Sequence, residues 1–221
     1  MPIRRINENH QMKLVLFGST GGTGRELVRQ ALELGHEVTA FARHAPALGI
    51  AHERLRVIEG DVLRRDSVDA AVEGQSAVLS ALGTRSLFMH ITLFSQSAEC
   101  IVDSMERRGV RRLIVESSLG VGDSRGQLGL LGTWIAVPVF LARIYADKER
   151  QETIIASSQL DWTIVRLAML TNGPQRGNYR TWSGAGPKPS ASRISRADVA
   201  HLMLSILTET ETYRCAINCS Y

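Results

Sequence analysis

Glycines 18, 21 and 24 close an apolar run, Leu14-Val15-Leu16-Phe17, and open a stretch in which Leu27, Val28, Ala31, Leu32 and Leu34 recur at helical spacing before Gly35. Between a strand and a helix, Gly18 permits a tight turn, Gly21 lets the backbone approach a pyrophosphate, and Gly24 allows the helix to pack closely on a sheet. The unpaired N–H groups and positive dipole end of that helix then face an anion. The spacing is GxxGxxG and not the commoner GxGxxG, and no Gly-Lys-Ser/Thr follows. The turn therefore reads as a dinucleotide cradle, and not as the P-loop of a nucleotide triphosphatase.

Three further positions extend that chemistry. Where an NAD-binding fold carries an acidic residue for the ribose hydroxyls, the chain has Ala40-Phe41-Ala42-Arg43, and a guanidinium there matches a 2′-phosphate. Arg43 is thus the candidate selector for NADP over NAD, with Arg25 as a second cation on the first helix. Asp61, in Gly60-Asp61-Val62, either accepts from an adenine amino group or caps the next turn. Leu82-Gly83-Thr84-Arg85 follows another apolar run, where a small residue lets the backbone lie against a cofactor. A proton relay of the Tyr-x-x-x-Lys kind is out of register, because Tyr145-Ala-Asp-Lys148 is one residue short. On a helix that difference turns Tyr145 by about 100° relative to Lys148.

The elements that must position these residues follow from periodicity and turn signals. Strands are expected near residues 36–41, 55–58, 77–81, 113–115 and 162–165. Helices are expected near 66–72, 91–108 and 146–156. Alternation at this spacing implies right-handed crossovers and an α/β, doubly wound, Rossmann-like parallel sheet with helices on both faces. Residues 171–192 are rich in Gly, Pro, Ser and Asn and read as a small irregular C-terminal substrate region. Ser195 with Asp198 opens a last helix through residue 207, and residues 213–218 add a final strand. Residues 1–11 read as a flexible leader and 12–221 as one domain, with a lid-like segment at about 119–145.

Composition excludes several classes. The net charge of +4, from 26 basic and 22 acidic residues, favours anionic ligands, but no basic run or aromatic-interleaved patch points to nucleic acid. Cys100, Cys215 and Cys219 show neither metal-ligand spacing nor a secreted disulfide framework, so a cytoplasmic setting and no metal are expected. His90 and His201 fall in helical stretches, as core or surface histidines commonly do. The uncharged segment 128–142 is too short for a simple membrane span and contains Pro138. With Trp134, Val137, Phe140 and Leu141, it reads as a lid, a subunit interface or core.

With these blocks in place, residues 12–218 resemble the atypical short-chain dehydrogenase/reductase superfamily. Within it they are similar to the NAD(P)H-binding group containing biliverdin reductase B, also known as flavin reductase. The likeness rests on GSTGGTG, Arg43, the GDV and LGTR blocks, Ser117-Ser118, the helix from Lys148 to Glu152, LDWTIVR and SRISRADVA. Arg166-Leu167 departs from the Arg-Pro of many relatives. The resemblance implies that Gly18, Thr20, Gly21, Gly22, Thr23, Gly24, Arg43, Asp61, Val62, Leu82, Gly83, Thr84, Arg85 and Ser117 contact NADP. It further implies that Ser118 sits beside the nicotinamide and that Lys148 binds its ribose. The expected activity is NADPH-dependent hydride transfer to a flavin, biliverdin-like or other flat conjugated acceptor, by a monomer or dimer without membrane or nucleic-acid partners. A non-catalytic NAD(P) sensor is the alternative, and an isomerase or epimerase a more remote one.

Overall fold

The computed structural model describes residues 11–84, 92–127, 141–184 and 193–221. The leader up to residue 10, Arg85, His90, residues 128–140 of the lid-like segment (with Trp134, Val137 and Phe140), and 185–192 lie outside the described residues.

Strands β1 (Lys13–Phe17), β2 (Glu37–Ala42), β3 (Leu55–Glu59), β4 (Ala77–Ser80), β5 (Arg112–Ser118) and β6 (Asp161–Leu167) pair in parallel in the order β3-β2-β1-β4-β5-β6. Beyond β6 the sheet continues with β10 (Cys215–Ser220), which is parallel to β6, and ends at β8 (Arg180–Trp182), antiparallel to β10. Strands β7 (Met169–Thr171) and β9 (Arg193–Ser195) form a separate parallel pair. The order reverses between β1 and β4, which in open α/β sheets is where a crevice forms beyond the carboxyl ends of the strands.

Helices α1 (Gly22–Glu33) and α5 (Arg196–Ser205) cover one face of the sheet; α2 (Arg65–Val72), α3 (Leu93–Arg108) and α4 (Ala142–Ser157) cover the other. The central strands are apolar in both directions because both faces are covered. Leu14, Leu16, Leu79 and Ile114 pack under α1 and α5, while Val15, Phe17, Val78 and Leu113 pack under α2 and α3. Alternation along β5 therefore sends Glu116 and Ser118 toward the α1 side and Ser117 toward α4.

The doubly wound sheet matches the expectation, with element ends that differ by a few residues. β5 runs through Ser118, so the serine pair belongs to the strand's end and does not follow it. α4 begins at Ala142, four residues earlier than the apolar periodicity suggests, because its first turn, half-buried or exposed, carries little core signal. Ser195 caps α5, accepting from Asp198 N at 3.0 Å as the Ser-x-x-Asp pattern predicts. Among the described residues, no helix is long and apolar enough to cross a membrane.

Candidate functional site

The turn from β1 into α1 is built against the end of β4. Gly18 has φ +79°, and a Cβ there would lie 2.4 Å from Ala81 O; a Cβ at Gly24 would lie 2.1 Å from Gly18 O. Both positions exclude any other residue on intramolecular grounds alone. Gly83 is different: φ is not in the left-handed region, and a Cβ added there meets nothing within 4 Å. Its smallness has no cause inside the described protein.

α1 starts with no side-chain cap and no acidic residue in its first turn, whereas α5 has Ser195 and Asp198 at its start. Gly21 and Gly22 are exposed. The leading N–H groups of α1 are thus presented to the crevice without a protein carboxylate or hydroxyl as N-cap, the arrangement that receives a phosphate. Ser19, absent from the sequence-based candidates, is fully buried and donates to Phe41 O at 2.9 Å, fixing the turn against the end of β2.

That link sets Arg43 beside the turn, exposed one residue past β2. Arg25 is engaged elsewhere: its guanidinium donates to Thr20 O at 3.2 Å, to Leu48 O at 2.5 Å and to Ala47 O, bracing the 43–48 connection. Asp61 Oδ1 accepts from Leu63 N at 3.1 Å, the turn-capping arrangement, and Val62 is buried against the core containing Phe41. Thr20, Leu82 and Thr84 are half-buried, and Thr23 is buried in the first turn of α1.

The other end of the site lies over β5 and β6. Ser118 is half-buried at the tip of β5. Lys148, buried on α4, donates from Nζ to Glu116 O at 3.3 Å and lies 4.4 Å from the centroid of the Phe94 ring. Burial pulls its pKa below the ordinary lysine value, against the attraction of Glu116, Glu152 and Asp147. Tyr145 donates its hydroxyl to Leu119 O at 3.0 Å, and burial pushes its pKa up to about 12. A phenol committed to a carbonyl and harder to ionise is a poor proton relay.

Ser117 points away from the crevice and donates to Glu152 Oε1 at 2.6 Å. Glu152 also accepts from Arg166, at 2.7 Å from Nη2, and Arg166 reaches Asp123 with Nη1. Gly122, with φ +58°, leaves room for that guanidinium, since a Cβ would sit 2.5 Å from Nη2. A fully buried Asp147 takes the place of an N-cap for α3, accepting from Phe94 N at 2.8 Å and Ser95 Oγ at 2.5 Å. It thereby clamps α4 to α3 and fixes the turn that carries Lys148. Asp123 and Asp147 are also absent from the sequence-based candidates; no local motif announces them, because their partners are distant in the chain.

Glu116 completes the inventory. It lies on β5 close to Thr23 in the first turn of α1, and burial raises its pKa against the pull of Lys148, Thr23 and Arg196. A carboxyl beside a phosphate cradle gave no signal in the sequence, where it reads as one letter in an apolar strand.

The fold and this site define a Rossmann-type dinucleotide-binding protein. The family model for NAD(P)H-binding proteins matches residues 18–210, and the chain belongs to that family. It is similar to an uncharacterised chloroplastic protein of Arabidopsis thaliana, 29% identical over 175 residues, which are 75% of this chain and 62% of that one. It is also similar to the photosystem II assembly factor Ycf39 of Synechocystis, 23% identical over 200 residues, which are 86% of this chain and 56% of that one. The chain thus spans less than two thirds of either relative. Among solved structures, a Veillonella parvula short-chain dehydrogenase/reductase in complex with NADP superposes with TM-score 0.80 at 22% identity, covering 96% of this chain and 95% of that one. An Escherichia coli O157:H7 protein described as an anaerobilin reductase has TM-score 0.80 at 24% identity, covering 94% and 96%. At these identities the structural likenesses establish the fold.

The residues present fit the dinucleotide. Gly18 and Gly24 shape the turn, the uncapped first turn of α1 offers N–H donors, and Gly83 leaves open space where a ligand backbone would pass. Among the described residues no cluster of His, Cys, Asp and Glu has the makings of a metal site, and the three cysteines are free.

Proposed function

We propose that the protein is an NADPH-dependent reductase acting on a flat conjugated acceptor of the flavin or biliverdin class. The observation that carries this reading is the contrast within one crevice: a phosphate cradle flanked by Arg43, beside a Tyr145 whose hydroxyl is held by Leu119 O. When bound, the cofactor supplies hydride from its nicotinamide. The first turn of α1 receives the pyrophosphate, Arg43 pairs with the 2′-phosphate, and the backbone at Gly83 and Thr84 carries the nicotinamide half toward β5. Ser118 and Lys148 orient that end. Lys148, already fixed by Glu116 O and the Phe94 ring, offers its remaining donors to a ribose. A conjugated acceptor spreads the charge it receives over its ring system and needs little from a protein acid, so alignment within contact supplies most of the advantage. The anaerobilin reductase among the structural neighbours supports the reductase reading. The rest of the reading is a protein of a reducing, cytoplasm-like compartment, monomeric or dimeric, with no membrane or nucleic-acid partner.

The same tyrosine geometry suits a cofactor sensor, and the assembly factor among the relatives gives that second reading a footing. NADPH oxidation measured with FMN, riboflavin, biliverdin and small quinones separates the two. Turnover with one of them is expected. Tight NADPH binding with no turnover on any acceptor assigns the sensor role instead.

A further inference from the structure

The glycine turn has a neighbour that the cofactor assignments above do not include. Arg196, the first residue of α5, lies directly on the backbone of Gly22, the first residue of α1. A Cβ at Gly22 would be 2.5 Å from Arg196 Cδ, 2.7 Å from Nε and 3.5 Å from the guanidinium carbon. The arm is held from both ends. Asn172 Oδ1 accepts from Nη1 at 2.6 Å, and Gln30 of α1 donates to Ala197 O at 2.9 Å, locking the start of α5 against α1. The charge also reaches the interior of the cradle, where it acts on Glu116 below Thr23. Arg196 is only half-buried, and a guanidinium has five donors in a planar fork, of which Asn172 uses one nitrogen. The guanidinium thus lies beside the exposed first residue of α1, next to the N–H groups that would receive an anion.

We infer that Arg196 is a pyrophosphate-binding residue: it closes the cradle from the α5 side, and it serves NADH and NADPH alike because the pyrophosphate is common to both. This rests on the dinucleotide reading of the turn. It divides the phosphate work between two guanidinium groups on opposite sides of α1, Arg43 for the 2′-phosphate and Arg196 for the bridge. The two are separable by ligand. Adenosine 2′-phosphate carries the group that Arg43 addresses and lacks the pyrophosphate.

The test compares the parent protein with Arg196→Gln by titration with NADPH, NADH and adenosine 2′-phosphate, alongside thermal unfolding without ligand. The expected result is a loss of about tenfold or more for both dinucleotides, the scale of a charge-assisted hydrogen bond. Affinity for adenosine 2′-phosphate and the unfolding temperature stay unchanged, and Arg196→Lys recovers part of the loss as a point charge. Unchanged dinucleotide affinity overturns the assignment, and so does an equal loss for adenosine 2′-phosphate, which marks general damage to the turn. A parent protein that binds neither dinucleotide removes the cofactor reading and this inference together. A parent that binds NADPH without turning it over leaves this inference standing.

Discussion

The two ends of the crevice are made of different material. Around β1, β2 and β4 the candidate site is built largely from backbone, shaped by the missing side chains of Gly18, Gly24 and Gly83, with Arg43 and Arg196 at its margins. Around β5 and β6 the site rests on buried charge: Glu152 with Arg166, Asp147 with the start of α3, Lys148 over Phe94. Apart from Arg43, the first construction suits any dinucleotide of the right shape, since every residue supplies the same N–H. The second depends on particular side chains, so it can be altered to suit a substrate. Under the proposed function, phosphate recognition is thereby kept apart from the chemistry of the acceptor.

Breaking the charged end has the largest expected effect on stability. Arg166→Met leaves Glu152 buried with its guanidinium removed, and loss of one partner of such a pair costs about 3–5 kcal/mol. Chemical denaturation should show that loss. The paired change Glu152→Met with Arg166→Met should recover much of it, since no charge is then stranded. If single and paired variants are equally destabilised, the network acts through shape and not through charge.

The glycines at the other end divide into two kinds. Gly24→Ala puts a methyl group 2.1 Å from Gly18 O, so the turn must open, and both stability and dinucleotide affinity should fall, the former by about 1–3 kcal/mol. Gly83→Ala meets no protein atom within 4 Å and should leave the unfolding midpoint where it is while weakening NADPH binding. Unaltered affinity in Gly83→Ala would show that the cofactor takes another path past β4.

The contrast also explains which parts of the molecule were legible in the sequence. The glycine turn is a local steric statement: three residues, their flanking apolar runs and the helix after them lie within about a score of positions, and periodicity reads them directly. The same holds for the alternation of strands and helices and for the Ser195 cap, three residues from its partner. The charged end is written across the chain instead. Ser117 meets Glu152 35 residues away, Asp123 meets Arg166 43 away, and Ser95 meets Asp147 52 away. No window of sequence contains such a pair. Each residue alone reads as an ordinary polar position on a strand or helix. The ends of α4 and β5 were blurred for a related reason, since tertiary contacts and not local propensity set them.

Cofactor choice gives a smaller and more selective effect. Arg43→Ala removes an exposed cation beyond β2 and should weaken NADPH by about tenfold or more while leaving NADH nearly as it was. Isothermal titration with both nucleotides is the measurement. Equal losses would mean that Arg43 shapes the 43–48 connection, a role the Arg25 contacts to Ala47 and Leu48 already fill.

The smallest expected effect lies where the two ends meet. Glu116 stands on β5 close to Thr23 of the glycine turn, with Lys148 and Arg196 as its charged neighbours, and burial raises its pKa above the ordinary carboxylate value. Below that raised pKa the carboxyl is neutral and adds no repulsion to a bound pyrophosphate. As pH rises through it, a negative charge forms beside the first turn of α1 and affinity should fall. A bound pyrophosphate raises the Glu116 pKa further, and each unit of that rise corresponds to about tenfold in affinity between the acid and alkaline limits. NADH is the better probe, because it lacks the 2′-phosphate, whose own titration near neutrality would run in the opposite sense. Glu116→Gln keeps the shape of the side chain and removes the charge, so its NADH affinity should be flat with pH and equal to that of the parent at the acid limit. A parent profile already flat, or a glutamine variant that retains the full slope, would place the titrating group elsewhere and leave the phosphate cradle electrostatically independent of β5.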